Sequence, residues 1–316
     1  MKSETKQQIR EALESYMLEH NVSANFVAKQ SGVNASVLSS IRNGKETIKA
    51  GGDKEVEISD KYYKMLADCI GFSLEKKYWE IIPTSQLLDA ISILEDARTH
   101  GFTNIIIGAT GCGKTVSVDT FVKKYPVDCF SIKVGKNDNI GDIIDKLLES
   151  MNINTEARTK SKKIREIIKH MRDLRLDGQK PTIIFDESEY MKQPTLCTTK
   201  ELIDNLSGIC GVVFIGTQQL LRNIEKLRMK DRDGIPQFWR RVKFGIRYLN
   251  NIDRTFKQFL NGLNITDKSL TSFIRENCEN YGELHDVLVP AMVEADRTNQ
   301  PLTEEFVRLV LNMPKR

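Results

Sequence analysis

The stretch "IIIGATGCGKTVSVDTFVKKY", from Ile105 to Tyr125, sets three glycines and a lysine between an apolar run and a helical pattern. The run "TNIIIG" that leads into it is short and β-branched, as a strand buried on both faces requires. Gly108, Ala109, Thr110, Gly111, Cys112, Gly113, Lys114 and Thr115 complete the pattern G-x-x-x-x-G-K-[ST], and Val116 continues into the helix. Glycines let backbone N–H groups curl around phosphate oxygens, and the helix that follows offers its positive end to them. Lys114 supplies a point charge for β- and γ-phosphates, while the Thr115 hydroxyl can ligate Mg2+. Strand, loop and helix stand in the order that binding of ATP with magnesium demands. A glycine turn without nucleotide is the competing reading.

A second acidic element separates a hydrolase from a simple nucleotide holder. In "PTIIFDESEYM", Thr182 to Phe185 form another buried strand, with Asp186 at its carboxyl end and Glu187 next to it. Asp186 is placed to hold the magnesium shell, and Glu187 to polarise an attacking water. Two surface carboxylates that merely cap the next helix are the alternative. It is the weaker one, because buried parallel strands direct such ends into the ligand crevice. Further strand patterns at "DCFSIKV" (Asp128 to Val134), "GVVFIGT" (Gly211 to Thr217) and "VKFGIRYL" (Val242 to Leu249) alternate with helical segments. The series predicts an α/β domain with a five-stranded parallel sheet.

The whole chain has 316 residues, more than one modest core needs, with 40% hydrophobic and 28% charged residues. No stretch approaches the roughly 18 to 20 apolar residues of a membrane span. The opening "MKSETKQQIREALESY" lacks the apolar middle of a secretory signal, so a cytoplasmic location is expected. Six scattered cysteines without a C-x-x-C pair argue against a zinc site or a disulfide framework. Net charge is only +4, but it is uneven. Residues 158 to 175 carry eight basic residues against two acids, and 222 to 247 carry nine against three. Each segment therefore holds +6, and the rest of the chain must be acidic.

A helix over about 161 to 175 would set Lys162, Arg165, Lys169 and Arg172 on one face and Ile164, Ile167, Ile168, Met171 and Leu174 on the other. The apolar face would pack on the sheet and leave the basic face for duplex DNA backbone; a merely solvated face stands as the equal alternative. Arg228, Lys230 and Arg232 form a second candidate patch. Few aromatics accompany either segment, so base stacking is not indicated, and little sequence preference is expected.

In the first 71 residues, "SANFVAKQSGVNASVLSSIRNGK" (Ser23 to Lys45) spaces its apolar residues for short packed helices, with Gly32 at the break and Asn34 as a cap. This all-α region resembles the helix-turn-helix of the lambda-repressor-like family. The likeness implies a recognition helix over about Ala35 to Arg42, with Ser36, Ser39, Ser40 and Arg42 as candidates to face DNA. A small helical interaction domain is the alternative.

Phosphate loop, Asp-Glu strand, "FIGT" strand and the basic "QFWRRVKF" together resemble the AAA+ ATPases, the P-loop NTPase group. The resemblance implies a sensor 1 role for Thr217 and an arginine finger from Arg240 or Arg241, reaching a neighbouring subunit's nucleotide. It also implies a helical lid after Asp253, in which "YGELHDVL" has His285 where a sensor 2 arginine is expected. Domain order and size further resemble the phage Mu transposition protein B family of target-selecting ATPases. That likeness implies an ATP-dependent filament on duplex DNA that delivers target DNA to a transposase. The alternative is a helicase-loader-like or regulatory protein that uses ATP as a switch. The expected division is a helix-turn-helix domain over 1–71, a linker over 72–84, the ATPase domain over 85–252 and the lid over 253–316.

Overall fold

The computed structural model describes residues 1–49, 55–73 and 76–314. Residues 50–54 of the expected first domain, 74 and 75 of the expected linker and 315 and 316 of the expected lid lie outside the described residues. The chain forms two compact units, Met1–Lys77 and Tyr78–Arg316.

The first unit comprises α1 (Ser3–Glu19), α2 (Ala24–Ser31), α3 (Ala35–Arg42), β1 (Thr47–Lys49), β2 (Glu55–Glu57) and α4 (Asp60–Ile70). Ser23 starts α2 by accepting the Phe26 N–H, and Gly32 closes it at φ 68°. Asn34 then accepts the Ser36 N–H at 2.9 Å and starts α3. The helix pair and its short turn fall on the residues that the sequence pattern names. Ile9, Leu13, Val27, Val37, Leu38, Ile41 and Leu66 make the core. The unit is helical but for one addition: β1 and β2 pair antiparallel, Thr47 opposite Glu57. Strands of three residues are too short to leave a periodic signature in sequence.

The second unit runs α5 (Ser85–His100), β3 (Thr103–Ile107), α6 (Lys114–Lys124), β4 (Cys129–Lys133), α7 (Ile140–Ser150), α8 (Lys160–Leu176), β5 (Thr182–Asp186), α9 (Gln193–Leu206), β6 (Gly211–Gly216), α10 (Gln218–Met229), α11 (Ile235–Val242) and β7 (Ile246–Tyr248). Four helices follow: α12 (Lys257–Gly262), α13 (Lys268–Asn277), α14 (Tyr281–Thr298) and α15 (Glu304–Val310). The five strands are parallel in the order β4-β5-β6-β3-β7. Every residue of β5 and β6 is buried, while β4 and β7 at the edges are partly exposed.

Side chains alternate across the sheet. Ile105, Ile107, Phe185 and Phe214 face a layer of α7, α8, α9 and α11, where Leu147, Ile167, Leu206 and Phe238 meet them. Ile106, Ile184 and Val213 face α5 and α6 through Leu94, Ala97 and Phe121. A third cluster joins Phe256, Phe259, Phe273, Leu284 and Leu288 of the C-terminal helices. Trp79 and Ile82, from the segment read as a linker, pack on that cluster. The last strand is shorter than its pattern suggests. Val242 is buried as the end of α11, whereas Phe244 stands 81% exposed in a 3-10 turn, so pairing begins only at Ile246.

At the opposite end of the sheet from the phosphate loop, Asp128 is 2% exposed, accepts Arg98 Nη2 at 2.7 Å and accepts the Lys180 N–H at 2.8 Å. Arg98 also lies 3.8 Å over the Tyr125 ring. Asp128→Ala leaves that guanidinium buried without its counter-ion and is expected to cost about 3 kcal/mol. Urea unfolding followed by circular dichroism measures the loss.

Candidate active site

The phosphate loop leaves β3 at Gly108, whose N–H donates to the Gly216 carbonyl at 3.1 Å. Gly111 and Gly113 have φ of 71° and 91°, a left-handed region that side chains with a Cβ rarely enter. At Gly113 the demand is conformational, because no atom lies within 4 Å of where a Cβ would sit. A Cβ on Gly111 would also collide with the Asn280 carboxamide. Lys114 opens α6 and curls back, donating to the Gly108 and Ala109 carbonyls at 3.1 and 2.8 Å.

Thr115 Oγ1 donates to Asp186 Oδ2 at 2.8 Å, joining the first turn of α6 to the end of β5. The other Asp186 oxygen accepts the Glu187 N–H at 2.9 Å, and Asp186 is 4% exposed. A hydroxyl and a carboxylate are hard oxygen donors of the kind Mg2+ selects, with its remaining positions left to water and phosphate. The residues present therefore fit a magnesium nucleotide.

These groups open on a cavity of about 620 Å³, within the range of ligand pockets. Its polar end holds the loop, Asp186, Glu187, Glu189 and Thr217. Its apolar end is built by Trp79, Ile81, Ile82, Phe259 and Tyr281. Trp79 stacks on Phe259 at 5.2 Å, and Phe259 meets Tyr281 at 5.0 Å. The Tyr281 N–H donates to the Gly111 carbonyl at 3.1 Å, so the first turn of α14 touches the phosphate loop directly. Sequence reasoning missed this end. Its signal was the "YWEII" run inside Phe72 to Pro83, too apolar for a solvated spacer.

Glu187 sits at φ 54° and lines the cavity, and Lys133 at the end of β4 pairs with its Oε1 at 2.9 Å. That hydrogen bond raises the Lys133 ammonium above its ordinary pKa. Lys133 carried no sequence signal, since a lysine at a strand end is ordinary. Thr217 follows β6 and caps α10, accepting the Gln219 N–H at 3.3 Å, which leaves its own proton free to be donated.

The two finger candidates differ. Arg241 is bound by Asp204 of its own chain and donates to the Gln237 carbonyl at 2.8 Å. The guanidinium holds the Asp204 carboxyl below its usual pKa. Arg241 is thus engaged within its own chain. Arg240 is exposed and has no ion-pair partner among the described residues. Neither arginine lines the cavity. His285 does line it, edge-on to Trp79 at 5.2 Å, with Nδ1 at 3.0 Å from Asp286.

The DNA candidates divide in the same way. Ser36 and Ser39 are exposed on α3, Ser36 Oγ donating to Asn34 Oδ1 at 2.8 Å, while Ser40 is half-buried. Arg42 is held by both oxygens of Glu14, at 2.6 and 3.0 Å. On α8, Lys162, Arg165 and Lys169 are exposed and Ile164, Ile167, Ile168 and Met171 buried. Arg172 is exposed too, though its Nη2 donates to the Asn205 carbonyl at 3.2 Å. Arg228 lies 4.6 Å over the Trp239 ring and pairs with Glu225, whereas Lys230 and Arg232 are exposed.

No helix among the described residues is long and apolar enough to cross a membrane. A family model described as an AAA domain matches residues 98–224. No curated protein sequence matches the chain. Among solved structures, the ORC2 protein of Aeropyrum pernix, in ADPNP-ADP complexes, is similar at 15% identity and a TM-score of 0.50. The similarity covers 72% of this chain and 66% of that one, just under two thirds of its length. CDC6P from Pyrobaculum aerophilum is similar at 16% identity and a TM-score of 0.56, covering 75% and 69%. Likeness at this identity concerns the fold, and with the sheet order and the loop it gives one result: residues 98–224 lie in an α/β P-loop domain of the AAA+ type.

Proposed function

We propose that the chain binds ATP with magnesium in this cavity and hydrolyses it to ADP and phosphate. The observation that carries the reading is the 2.8 Å contact between Thr115 and Asp186 at the mouth of the phosphate loop, with Glu187 beside it. In this reading the loop amides and Lys114 hold the β- and γ-phosphates, and Thr115 and Asp186 hold the metal. Bound Mg2+ neutralises charge on the phosphates. Glu187 accepts the proton of the attacking water once Lys133 releases it. Thr217 orients that water, and the aromatic end receives the base. Arg240, exposed and without an ion-pair partner among the described residues, is a cation that can reach a second copy's nucleotide, so the working form in this reading is an oligomer.

We further propose duplex DNA as the surface on which the oligomer forms and delivery of that DNA to a transposase as its use. A helix-turn-helix unit ahead of an AAA+ domain, followed by a short helical lid, supports this reading. So does the exposed basic face of α8. The Lys133–Glu187 ion pair favours the second reading, a DNA-bound switch with little turnover, because it ties up the base.

A phosphate-release assay with and without duplex DNA separates the two: DNA-stimulated turnover is expected, and intact ATP binding without turnover in either condition refutes hydrolysis. Lys114→Ala is expected to abolish ATP binding, and Glu187→Gln to lower turnover about a hundredfold or more while ATP stays bound. Lys133→Ala should raise DNA-independent turnover, and an unchanged basal rate contradicts its role as a brake. For DNA, the triple change Lys162→Ala, Arg165→Ala, Lys169→Ala should reduce the slope of log affinity against log salt by about 3, read by fluorescence anisotropy.

A further inference from the structure

Glu189 is a carboxylate that none of these roles uses. The turn after β5 arranges Glu187, Ser188 and Glu189 so that the middle residue points inward: Ser188 is fully buried and donates to the Phe185 carbonyl at 2.7 Å. Glu187 and Glu189 flank it and both line the cavity. Glu189 is anchored through its backbone, its carbonyl accepting Asn223 Nδ2 of α10 at 3.0 Å. Its side chain lies against the end of β6, where a Cβ on Gly216 would come within 2.6 Å of Oε2. Gly216 thus leaves room for the carboxylate and directly precedes Thr217. That oxygen is sealed from solvent and has no hydrogen-bond partner among the described residues. A buried carboxylate oxygen with no donor is unfavourable, so it will take a nearby donor when one can be turned toward it. Thr217 has one. Its hydroxyl already accepts the Gln219 N–H, and its own proton is uncommitted.

We propose that Glu189 is a positioning residue for the hydrolysis, acting through Thr217; the proposal rests on the reading of the cavity as an ATPase site. When the site is loaded, the Thr217 hydroxyl donates to Glu189 Oε2. With one lone pair on the Gln219 N–H and its proton on Glu189, Thr217 has one remaining lone pair to accept a proton of the attacking water. The water then has two acceptors, Thr217 and Glu187, and its own lone pair is left to face phosphorus. Without Glu189, the hydroxyl rotates freely and donates to the water or phosphate instead.

The test is a double-mutant cycle on the full chain with Glu189→Ala and Thr217→Val. It combines single-turnover ATP hydrolysis with ATP affinity from Trp79 fluorescence and with thermal melting. Glu189→Ala is expected to slow hydrolysis about ten- to a hundredfold, with affinity unchanged within about twofold. The double variant should be no slower than the slower single one, and Glu189→Gln, which keeps an acceptor oxygen, should recover part of the rate. A Glu189→Ala rate within about twofold of the parent overturns the proposal, as do multiplicative losses in the cycle or a matching loss of affinity and melting temperature. If Glu187→Gln abolishes turnover while Glu189→Ala does not, this proposal alone fails. A parent chain that binds ATP but never hydrolyses it overturns both.

Discussion

The hydrogen bond from Thr115 to Asp186 is the contact on which the candidate site depends. Thr115 stands on α6, which follows β3, while Asp186 ends β5, and these two strands are not neighbours, because β6 lies between them in the sheet. α6 leaves the phosphate loop and passes over β5 and β4, which brings its first turn to the end of β5. Parallel strands place all their carboxyl ends on one edge, so the phosphate loop, Asp186, Lys133 and Thr217 collect there without any long excursion of chain. Full burial of β5 and β6 keeps that edge rigid, and Phe185 stacked on Phe214 at 5.2 Å locks the two together. A carboxylate as buried as Asp186 is tolerable because the Thr115 hydroxyl and the Glu187 N–H satisfy its oxygens.

The C-terminal helices complete the site. Tyr281 donates its N–H to Gly111, Asn280 occupies the space where a side chain on Gly111 would go, and Phe259 stacks on Trp79. The loop for phosphates and the aromatic end of the cavity are therefore joined through α14. His285 stands on the same first turns, where the family resemblance leads one to expect an arginine, and contributes a ring edge to Trp79. Among the described residues no arginine lines the cavity. Lys114 and His285 are thus the basic side chains on its lining, and Arg240 stands exposed outside it.

What was legible in sequence is what short-range pattern encodes. β-branched runs predicted buried strands, the glycine-lysine spacing predicted a loop between strand and helix, and the 3.6-residue period predicted the buried face of α8. The AAA+ architecture followed from their order. What was illegible depends on partners distant in the chain. Arg42 pairs with Glu14, 28 residues away, and Arg241 with Asp204, 37 residues away. Arg228 lies over the Trp239 ring, 11 residues on. Lys133 and Glu187 are joined because β4 and β5 are adjacent, a pairing no local pattern announces. The packing of the segment at Trp79 was illegible for the opposite reason: its apolar residues have no period, and Trp79 and Ile82 are partly covered by helices more than 170 residues later.

The central claim is that the loop, Thr115 and Asp186 together hold a magnesium nucleotide. A crystal structure of the chain with Mg2+ and a non-hydrolysable ATP analogue tests it most directly. The account predicts the terminal phosphates within hydrogen-bond distance of Lys114 Nζ, the metal ligated by Thr115 Oγ1 with Asp186 in contact with it or its waters, and the base against Trp79. A nucleotide bound elsewhere, or phosphates that leave Lys114 on the Gly108 and Ala109 carbonyls, would contradict it.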